Sequence, residues 1–389
     1  MLQKRVFIQN HQVIIFKAEH AEFATCIISS IREWNMITIK DLARALNVSP
    51  STISMALNNN PRVSEKTREK VTDLAKKLHY HPNLIARAMV KKKTNLIGLL
   101  ISDIMSSFFP QIIQGIEDLM TGESYSVILC PTNNDAARER EYFRILREKR
   151  VDGIITDPVE CKENKELWQD FIERKMPVVA ILSHPPVKGI CEVTVDNVLG
   201  GFLATEHLIR TGHKIIGHLA GPSCFQISRD RLKGYRTALK KYNLPYHENL
   251  IIETTFDWED GYNNMRLMLQ TKPRPTAVFC AGDIIAIGAS FALRQSGFGV
   301  PSDIAVMGYD DLFLASIAEV PLTTVAQPKY NLGSLAARKL LALIKGEKVE
   351  SEILQPTLTI RDSCGSKSGR RNKSIAMAAS FSLNFKHKD

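Results

Sequence analysis

The stretch TIKDLARALNVSPSTISMALN, Thr38 to Asn58, reads as two short helices joined by a tight turn. Its first half has apolar residues at i, i+3, i+4 and i+7, which form one helical stripe: Ile39, Leu42, Ala43 and Leu46. Ser49 is a suitable N-cap because its hydroxyl can accept a free backbone N–H, and Pro50 suits the first helical position. The pattern predicts a helix-turn-helix, with an ordinary helical hairpin as the alternative.

The second helix would bury three apolar residues, Ile53, Ala56 and Leu57, and turn a face of mostly small and hydroxyl side chains outward: Ser51, Thr52, Ser54 and Met55. Such a face can enter a DNA major groove. A third helix is predicted from Ser64 onward, because an apolar stripe follows at helical spacing: Val71, Leu74, Ala75 and Leu78.

Positive charge is concentrated around this motif. Residues 36–95 hold 12 Lys and Arg against 4 Asp and Glu, whereas residues 96–365 carry a net charge of −4 and the 389-residue chain carries +10. A domain that binds a polyanion such as DNA requires a positive electrostatic field of this kind. A basic face that is only solvated would also be rich in lysine.

The seven cysteines are far apart and include no Cys-x-x-Cys pair, which indicates thiols in a reducing cytoplasm rather than disulfides or a zinc site. No metal or cofactor is expected. No nucleophile–base pair or Gly-x-Gly-x-x-Gly loop supports an enzyme, and no apolar run is long enough for a membrane span.

Four segments together resemble the lactose/galactose-repressor (LacI/GalR) family of bacterial transcription regulators. They are TIKDLARALNVSPSTISMALNN, PRVSEKTREKV, LHYHPNLIARAM and TNLIGLLISDIMSSFFPQIIQGIE, and the resemblance runs from about Met36 to about Gly365. It implies a dimeric regulator that binds operator DNA. Met36 stands where such repressors begin, so residues 1–35 are either the product of an upstream start codon or a genuine extension.

The resemblance and the helix pattern together give a set of expected DNA contacts. Pro50, Ser51 and Met55 would face bases, with Met55 touching a thymine methyl, while Thr52, Asn58, Ser64 and Tyr80 would mainly hold phosphates. In the family, residues equivalent to Leu84–Val90 form a hinge helix in the minor groove. The full expected set is Thr38, Pro50, Ser51, Thr52, Met55, Asn58, Ser64, Tyr80, Asn83, Ala86 and Met89.

From Asn95 onward, short apolar runs alternate with longer helical patterns, which predicts an α/β fold of two doubly wound parallel-sheet halves. The first series contains Leu96–Ile101, Ser126–Leu129, Gly153–Thr156 and Val178–Leu182. The second contains Val193–Val195, Ile215–Leu219, Ala277–Cys280 and Ile304–Gly308. This core resembles the periplasmic-binding-protein fold and follows the all-α headpiece.

Ligands bind such folds at the carboxyl ends of the strands, so residues that follow strands are candidates for an effector site. Phe108 and Phe109 could stack on a flat ligand or sugar ring. By resemblance, Arg231, Phe256 and Asp310 match effector contacts of the family, and Arg231 could instead pair with Asp230 or Asp283. Leu182 and Gly282 stand where the family often has a polar residue.

The predicted organisation has five parts. They are a 1–35 extension expected to be disordered, a 36–82 helix-turn-helix domain, an 83–95 hinge and linker, a 96–365 effector and dimerisation domain, and a basic disordered tail, 366–389. Within 96–365, one subdomain would combine about 96–195 with 324–350, and the other about 196–322 with 353–365.

These observations favour a cytoplasmic transcriptional regulator, a homodimeric repressor whose affinity for double-stranded operator DNA changes with a small-molecule effector, expected to be a carbohydrate. A nucleobase or a partner protein could control it instead. A solute-binding transport protein is least favoured, because it would have a signal peptide and no basic headpiece.

Overall fold

The computed structural model describes residues 5–9, 12–16, 37–78, 80, 93–160 and 163–365. The chain divides into two compact units, residues 1–94 and residues 95–389. In the first unit, Arg5–Gln9 (β1) and Gln12–Phe16 (β2) pair antiparallel, with Arg5 opposite Phe16. Both runs consist mainly of β-branched and other apolar residues, which favour strands. The expected disorder of residues 1–35 stays a prediction.

Three helices form the headpiece: Ile39–Leu46 (α1), Pro50–Leu57 (α2) and Glu65–Lys77 (α3). The hydroxyl of Ser49 accepts the backbone N–H of Thr52 at 3.1 Å, as predicted for the N-cap of α2. Asn47 ends α1 in the left-handed conformation, at a φ of 52°. These contacts confirm two short helices around a tight turn.

The headpiece core consists of apolar residues from all three helices and from the turn before α3: Leu42, Ala43, Ile53, Ala56, Val63, Val71 and Ala75. Leu57 is only half-buried, and Met55, expected to point outward, is half-buried and packs against this core. The reason is geometric. Because α2 is only two turns long and packs against both α1 and α3, the long side chain of Met55 contacts its neighbours even though it starts on the outer face.

The second unit contains two six-stranded sheets. The first has the order β13-β7-β6-β5-β3-β4, and all its pairings are parallel. Its strands are Leu96–Ile101 (β3), Ser126–Pro131 (β4), Gly153–Thr156 (β5), Val178–Ile181 (β6), Cys191–Val195 (β7) and Glu352–Leu354 (β13). Its helices are Phe109–Gly122 (α4), Ala136–Glu148 (α5), Lys165–Glu173 (α6) and Lys329–Ile344 (α12).

The second sheet has the order β14-β12-β11-β10-β8-β9, and only β14 runs antiparallel to its neighbour. Its strands are Ile216–Ala220 (β8), Ile251–Glu253 (β9), Ala277–Cys280 (β10), Ala305–Asp310 (β11), Thr323–Ala326 (β12) and Thr357–Thr359 (β14). Its helices are Asn197–Arg210 (α7), Gln226–Lys241 (α8), Trp258–Met268 (α9), Asp283–Gln295 (α10) and Phe313–Ile317 (α11), with a 3-10 turn at Glu248–Leu250.

Each sheet separates two apolar clusters. Leu99 of β3 faces one cluster with α4 and α12, while Leu100 faces the other with Phe143 and Trp168. The second sheet likewise lies between a cluster around Ile285 and one around Tyr235. Helices on both faces of mainly parallel sheets confirm the expected doubly wound α/β fold.

The subdomain boundaries differ from the expected ones in the crossover segments. Thr323–Ala326 pairs with β11 of the second sheet rather than belonging to the first half, and Glu352–Leu354 pairs with β7 of the first sheet rather than belonging to the second. Cys191–Val195 is an inner strand of the first sheet, not the start of the second series. A run of apolar residues indicates a strand that is covered on both faces, but it does not indicate to which sheet that strand belongs.

Candidate functional site

The carboxyl ends of strands from both sheets meet at one cavity of about 390 Å³. The first half supplies residues that follow β3, β5 and β6, and the second half supplies residues that follow β8, β10 and β11. All five expected effector residues line it: Phe108, Phe109, Arg231, Phe256 and Asp310. The structure therefore brings together side chains that are up to about two hundred positions apart in the sequence.

The two phenylalanines of the first half differ in their surroundings. Phe108 is half-buried and meets Phe109 edge to face, with ring centroids 5.5 Å apart. Phe109 begins α4 and belongs to the apolar core beneath the cavity. Phe108 is thus the more available platform for a flat ligand, while Phe109 supports it from below.

Arg231 lies on α8 and is only 3% exposed. Its Nε donates to Asn197 Oδ1 at 3.0 Å, its Nη1 donates to the carbonyl oxygen of Ala281, and its Nη2 lies 3.7 Å from Asp310 Oδ1. The guanidinium also stacks 3.7 Å above the ring centre of Tyr309. The ion-pair partner is therefore Asp310 rather than Asp230 or Asp283, since β11 ends directly beside this face of α8.

Asp310 is held in an unusual backbone conformation, with a φ of 108°. Gln327 Nε2 donates to its carboxylate at 2.7 Å, and the Lys329 ammonium donates to its carbonyl oxygen. Burial raises the pKa of Asp310, an effect partly offset by Arg231. Strained backbone fixed by several partners is typical of ligand-binding positions.

Several cavity residues were not identified from the sequence, including Asp157, Asn197, Phe225 and Gln327. Asp157 could have been predicted as a cavity residue, because it directly follows the strand Gly153–Thr156, which the apolar run predicts. Phe225 directly precedes α8, and Asn197 is the first residue of α7. Hydrophobic periodicity does not predict ligand contacts at such positions.

Asp283 is a buried acid at the start of α10 that also borders the cavity. Its carboxyl group accepts hydrogen bonds from the Thr324 hydroxyl at 2.6 Å and from the Leu312 backbone N–H at 2.7 Å. Burial raises the pKa of Asp283 to about 8, with the nearby Asp310 charge adding to the effect. Asp283 is therefore mostly neutral at pH 7 and ties α10 to β12.

Leu182 and Gly282, where the resemblance led us to expect polar residues, both border the cavity. Leu182 has a φ of 63°, uncommon for a branched side chain, and places an apolar group on the wall of the first half. A Cβ at Gly282 would make ordinary van der Waals contacts, with Phe256 at 3.6 Å and with Asp310 and Ile285 at 3.8 Å.

In the headpiece, five of the expected DNA contacts are exposed: Thr38, Pro50, Ser51, Asn58 and Ser64. Thr52, Met55 and Tyr80 are half-buried, and Met55 and Tyr80 pack against the headpiece core. Burial raises the pKa of Tyr80. Asn83, Ala86 and Met89 lie outside the described residues, as does most of the expected hinge.

Within the described ranges, no group of three or more His, Cys, Asp or Glu side chains is arranged to hold a metal ion. The same part of the chain contains no helix that is both long enough and apolar enough to cross a membrane.

Two family models match the chain. Residues 38–83 match the bacterial regulatory proteins of the lacI family, and residues 205–364 match the periplasmic binding protein-like domain. The first match covers the three headpiece helices, and the second covers most of the half that contains Arg231, Phe256 and Asp310.

Full-length relatives agree with these matches. The ribose operon repressor of Haemophilus influenzae is 35% identical over 330 residues, covering 84% of this chain and 98% of that protein. The HTH-type transcriptional repressor PurR of Photobacterium profundum is 36% identical over 333 residues, with the same coverage. A crystal structure of the lac repressor dimer bound to operator and the anti-inducer ONPF aligns with a TM-score of 0.77 at 28% identity, covering 84% of this chain and 99% of that one. This chain belongs to the lacI family of bacterial regulatory proteins.

Proposed function

We propose that this protein is a transcriptional repressor that binds operator DNA through its headpiece and responds to a small polyhydroxy effector in the cleft. The observation that carries the proposal is the cavity, in which strand ends from both halves present an Arg–Asp pair, stacking rings and hydroxyl groups. The relatives are named as repressors, and one related structure holds operator DNA and an anti-inducer.

The headpiece supports direct reading of DNA by α2. Ser51 and Pro50 are exposed at its start, and three helices begin at hydroxyl residues: Thr38, Ser49 and Ser64. Helix starts carry free N–H groups that suit phosphate oxygens. We expect α2 to enter the major groove while these helix starts contact the two backbones.

A homodimer follows from the same reading, since a single recognition helix contacts only a few base pairs. An apolar surface on α11 is available for a subunit contact, because Phe313 is 75% exposed and Ile317 is 60% exposed. Exposed apolar groups this close together are typical of protein–protein interfaces.

A nucleobase is the second candidate effector. The cleft contains Phe108, Phe225 and Phe256, whose rings could sandwich a planar base, and one close relative is named as PurR.

The test combines DNA selection with ligand titration. Purified protein should enrich an inverted repeat from a random DNA library, as expected for a symmetric dimer. Sugars and purines would then be titrated against the selected site in a mobility shift. Selected sequences without an inverted repeat would contradict the dimeric repressor, and a purine that alone alters operator affinity would favour the second candidate.

A further inference from the structure

Asp157 stands out among the cavity residues because its hydrogen-bonding capacity is only partly used. It directly follows β5, lines the cavity, and is only 6% exposed. Its Oδ1 has no hydrogen-bond partner. A buried acceptor without a donor costs about 1–3 kcal/mol, and more when it is charged, so such atoms usually serve a ligand or a function.

The neighbours of Asp157 shift its pKa in both directions, since the charge of Glu160 raises it and two serines lower it. Burial raises the pKa of Asp157 to about 6, and hydrogen bonds from Ser102 and Ser183 limit the rise. Both serines also line the cavity. Above pH 7 this corner of the first half therefore presents a carboxylate between two hydroxyl groups, next to the apolar side chain of Leu182.

The charges around the cavity are strongly unequal. Five carboxyl groups line it, Asp103, Asp157, Asp257, Asp283 and Asp310, of which Asp283 is mostly neutral and Asp310 is paired with Arg231. Among the described lining residues, Arg231 is the single cationic side chain, and its three nitrogens already face Asn197, Ala281 and Asp310. The nearby Lys329 ammonium is directed to the carbonyl oxygens of Asp310 and Asp311.

A negatively charged ligand would find no free cation among these residues to compensate it. It would approach the buried carboxylate of Asp157, where like charges interact far more strongly than in water, with the exposed carboxylates of Asp103 and Asp257 nearby. An uncharged ligand with hydroxyl groups meets no such penalty and supplies the donor that Asp157 lacks.

We propose that Asp157 is the specificity-determining residue of the first half, which accepts a hydrogen bond from a hydroxyl group of an uncharged polyhydroxy effector and excludes phosphorylated or carboxylated forms. The proposal rests on the proposed effector function of the cleft. It assigns the ligand contact of the first half to the segment after β5, because Leu182 offers no polar atom there.

The test uses matched pairs of ligands on the full-length protein. D-ribose, D-glucose and D-galactose are compared with their phosphate esters and with the corresponding sugar acids, by calorimetry at pH 8. Wild type should bind at least one neutral sugar and bind its anionic partners at least about tenfold more weakly. Asp157→Asn should weaken the neutral sugar about tenfold, the scale of one charge-assisted hydrogen bond, and reduce the discrimination against its anionic partners.

Glu123→Gln is the control, because Glu123 is an exposed carboxyl group of the first half, at the end of α4, and does not line the cavity. It should leave ligand preference unchanged. If Asp157→Asn does not fold, Asp157→Glu should retain the exclusion of anions while shifting neutral-sugar affinity.

The outcomes separate this inference from the function on which it rests. Protein that selects no operator sequence contradicts the repressor function. Protein that binds its operator but binds an anionic ligand as tightly as the neutral sugar, or binds none of the neutral sugars, overturns the role of Asp157. The same conclusion follows if Asp157→Asn and Glu123→Gln bind the sugar equally well.

Discussion

Glu160 forms a contact that joins the two halves of the cleft, and its removal should loosen them. Glu160 follows β5 of the first sheet, and both its carboxylate oxygens accept the backbone N–H of Gln226, at 2.9 and 2.8 Å. Gln226 begins α8 of the second half. Arg229 on the same helix places Nη2 3.3 Å from Glu160.

These contacts determine how much free energy Glu160 contributes to holding the two halves together. A hydrogen bond to a charged group contributes about 1.5–3 kcal/mol, and a carboxylate at a helix start adds about 0.3–1 kcal/mol. Arg229 is 43% exposed, so its ion pair contributes less than about 1 kcal/mol. Glu160→Gln retains one acceptor oxygen and loses the charge. We therefore expect the observed arrangement of the halves to lose about 1–2 kcal/mol.

That loss corresponds to about a 5- to 30-fold shift of an equilibrium between this arrangement and a more open one. A ligand that touches both halves favours the closed arrangement, so its measured affinity should fall by up to that factor. Calorimetry gives the affinity, and small-angle scattering should show a larger radius of gyration for ligand-free Glu160→Gln than for wild type.

Glu163→Gln is the matched control, because Glu163 is exposed and lies in the same connection between β5 and α6. It should behave like wild type. Equal affinities and equal radii for the two variants would refute a role of Glu160 in holding the halves together. Arg229→Ala should have a smaller effect than Glu160→Gln, and a larger one would assign the contact to the ion pair instead.

Three further predictions concern other parts of the molecule. Burial lowers the pKa of His218 to about 4, so the unfolded state binds a proton below about pH 6.5 that the folded state refuses. Stability should fall by about 2–3 kcal/mol between pH 7 and pH 4.5, and urea titrations of His218→Phe should show a flatter profile. Arg231→Ala leaves Asp310 buried without its cation, so it should lower the free energy of unfolding by about 3–5 kcal/mol in chemical denaturation. Met55→Arg should change base preference at one position per half-site in DNA selection, whereas Tyr80→Phe should weaken all sites alike.

Short-range patterns predicted the local elements well. Ser49 caps α2 as its position suggested, and the strands Leu96–Ile101, Gly153–Thr156 and Ala277–Cys280 were predicted with the bounds observed. These elements depend on periodicity and capping, which are written into a few consecutive residues. The strand expected over Ile304–Gly308 spans Ala305–Asp310 instead, because strand ends depend on pairing partners.

Long-range pairing was harder to predict. The chain crosses between the halves more than once. The expected boundaries put residues 324–326 in the first half and residues 353–354 in the second, whereas Thr323–Ala326 pairs with β11 and Glu352–Leu354 pairs with β7. The same limit applies to the cleft. Arg231 was identified, but its partner Asp310 could be distinguished from Asp230 only once β11 and α8 were placed side by side.

The segment after β5 connects ligand recognition to the arrangement of the halves. Asp157 lines the cavity, and Glu160, three residues later, holds the start of α8. The same helix carries Arg231, whose guanidinium lies beside Asp310 on the opposite wall of the cavity. A ligand that fills the cavity between Asp157 and Asp310 therefore acts on a loop and a helix that are already joined through Glu160. Because the loop and the helix belong to different sheets, any movement of one against the other must change both the ligand contacts and the Glu160 contact, and this shared dependence couples cleft occupancy to the orientation of the two halves.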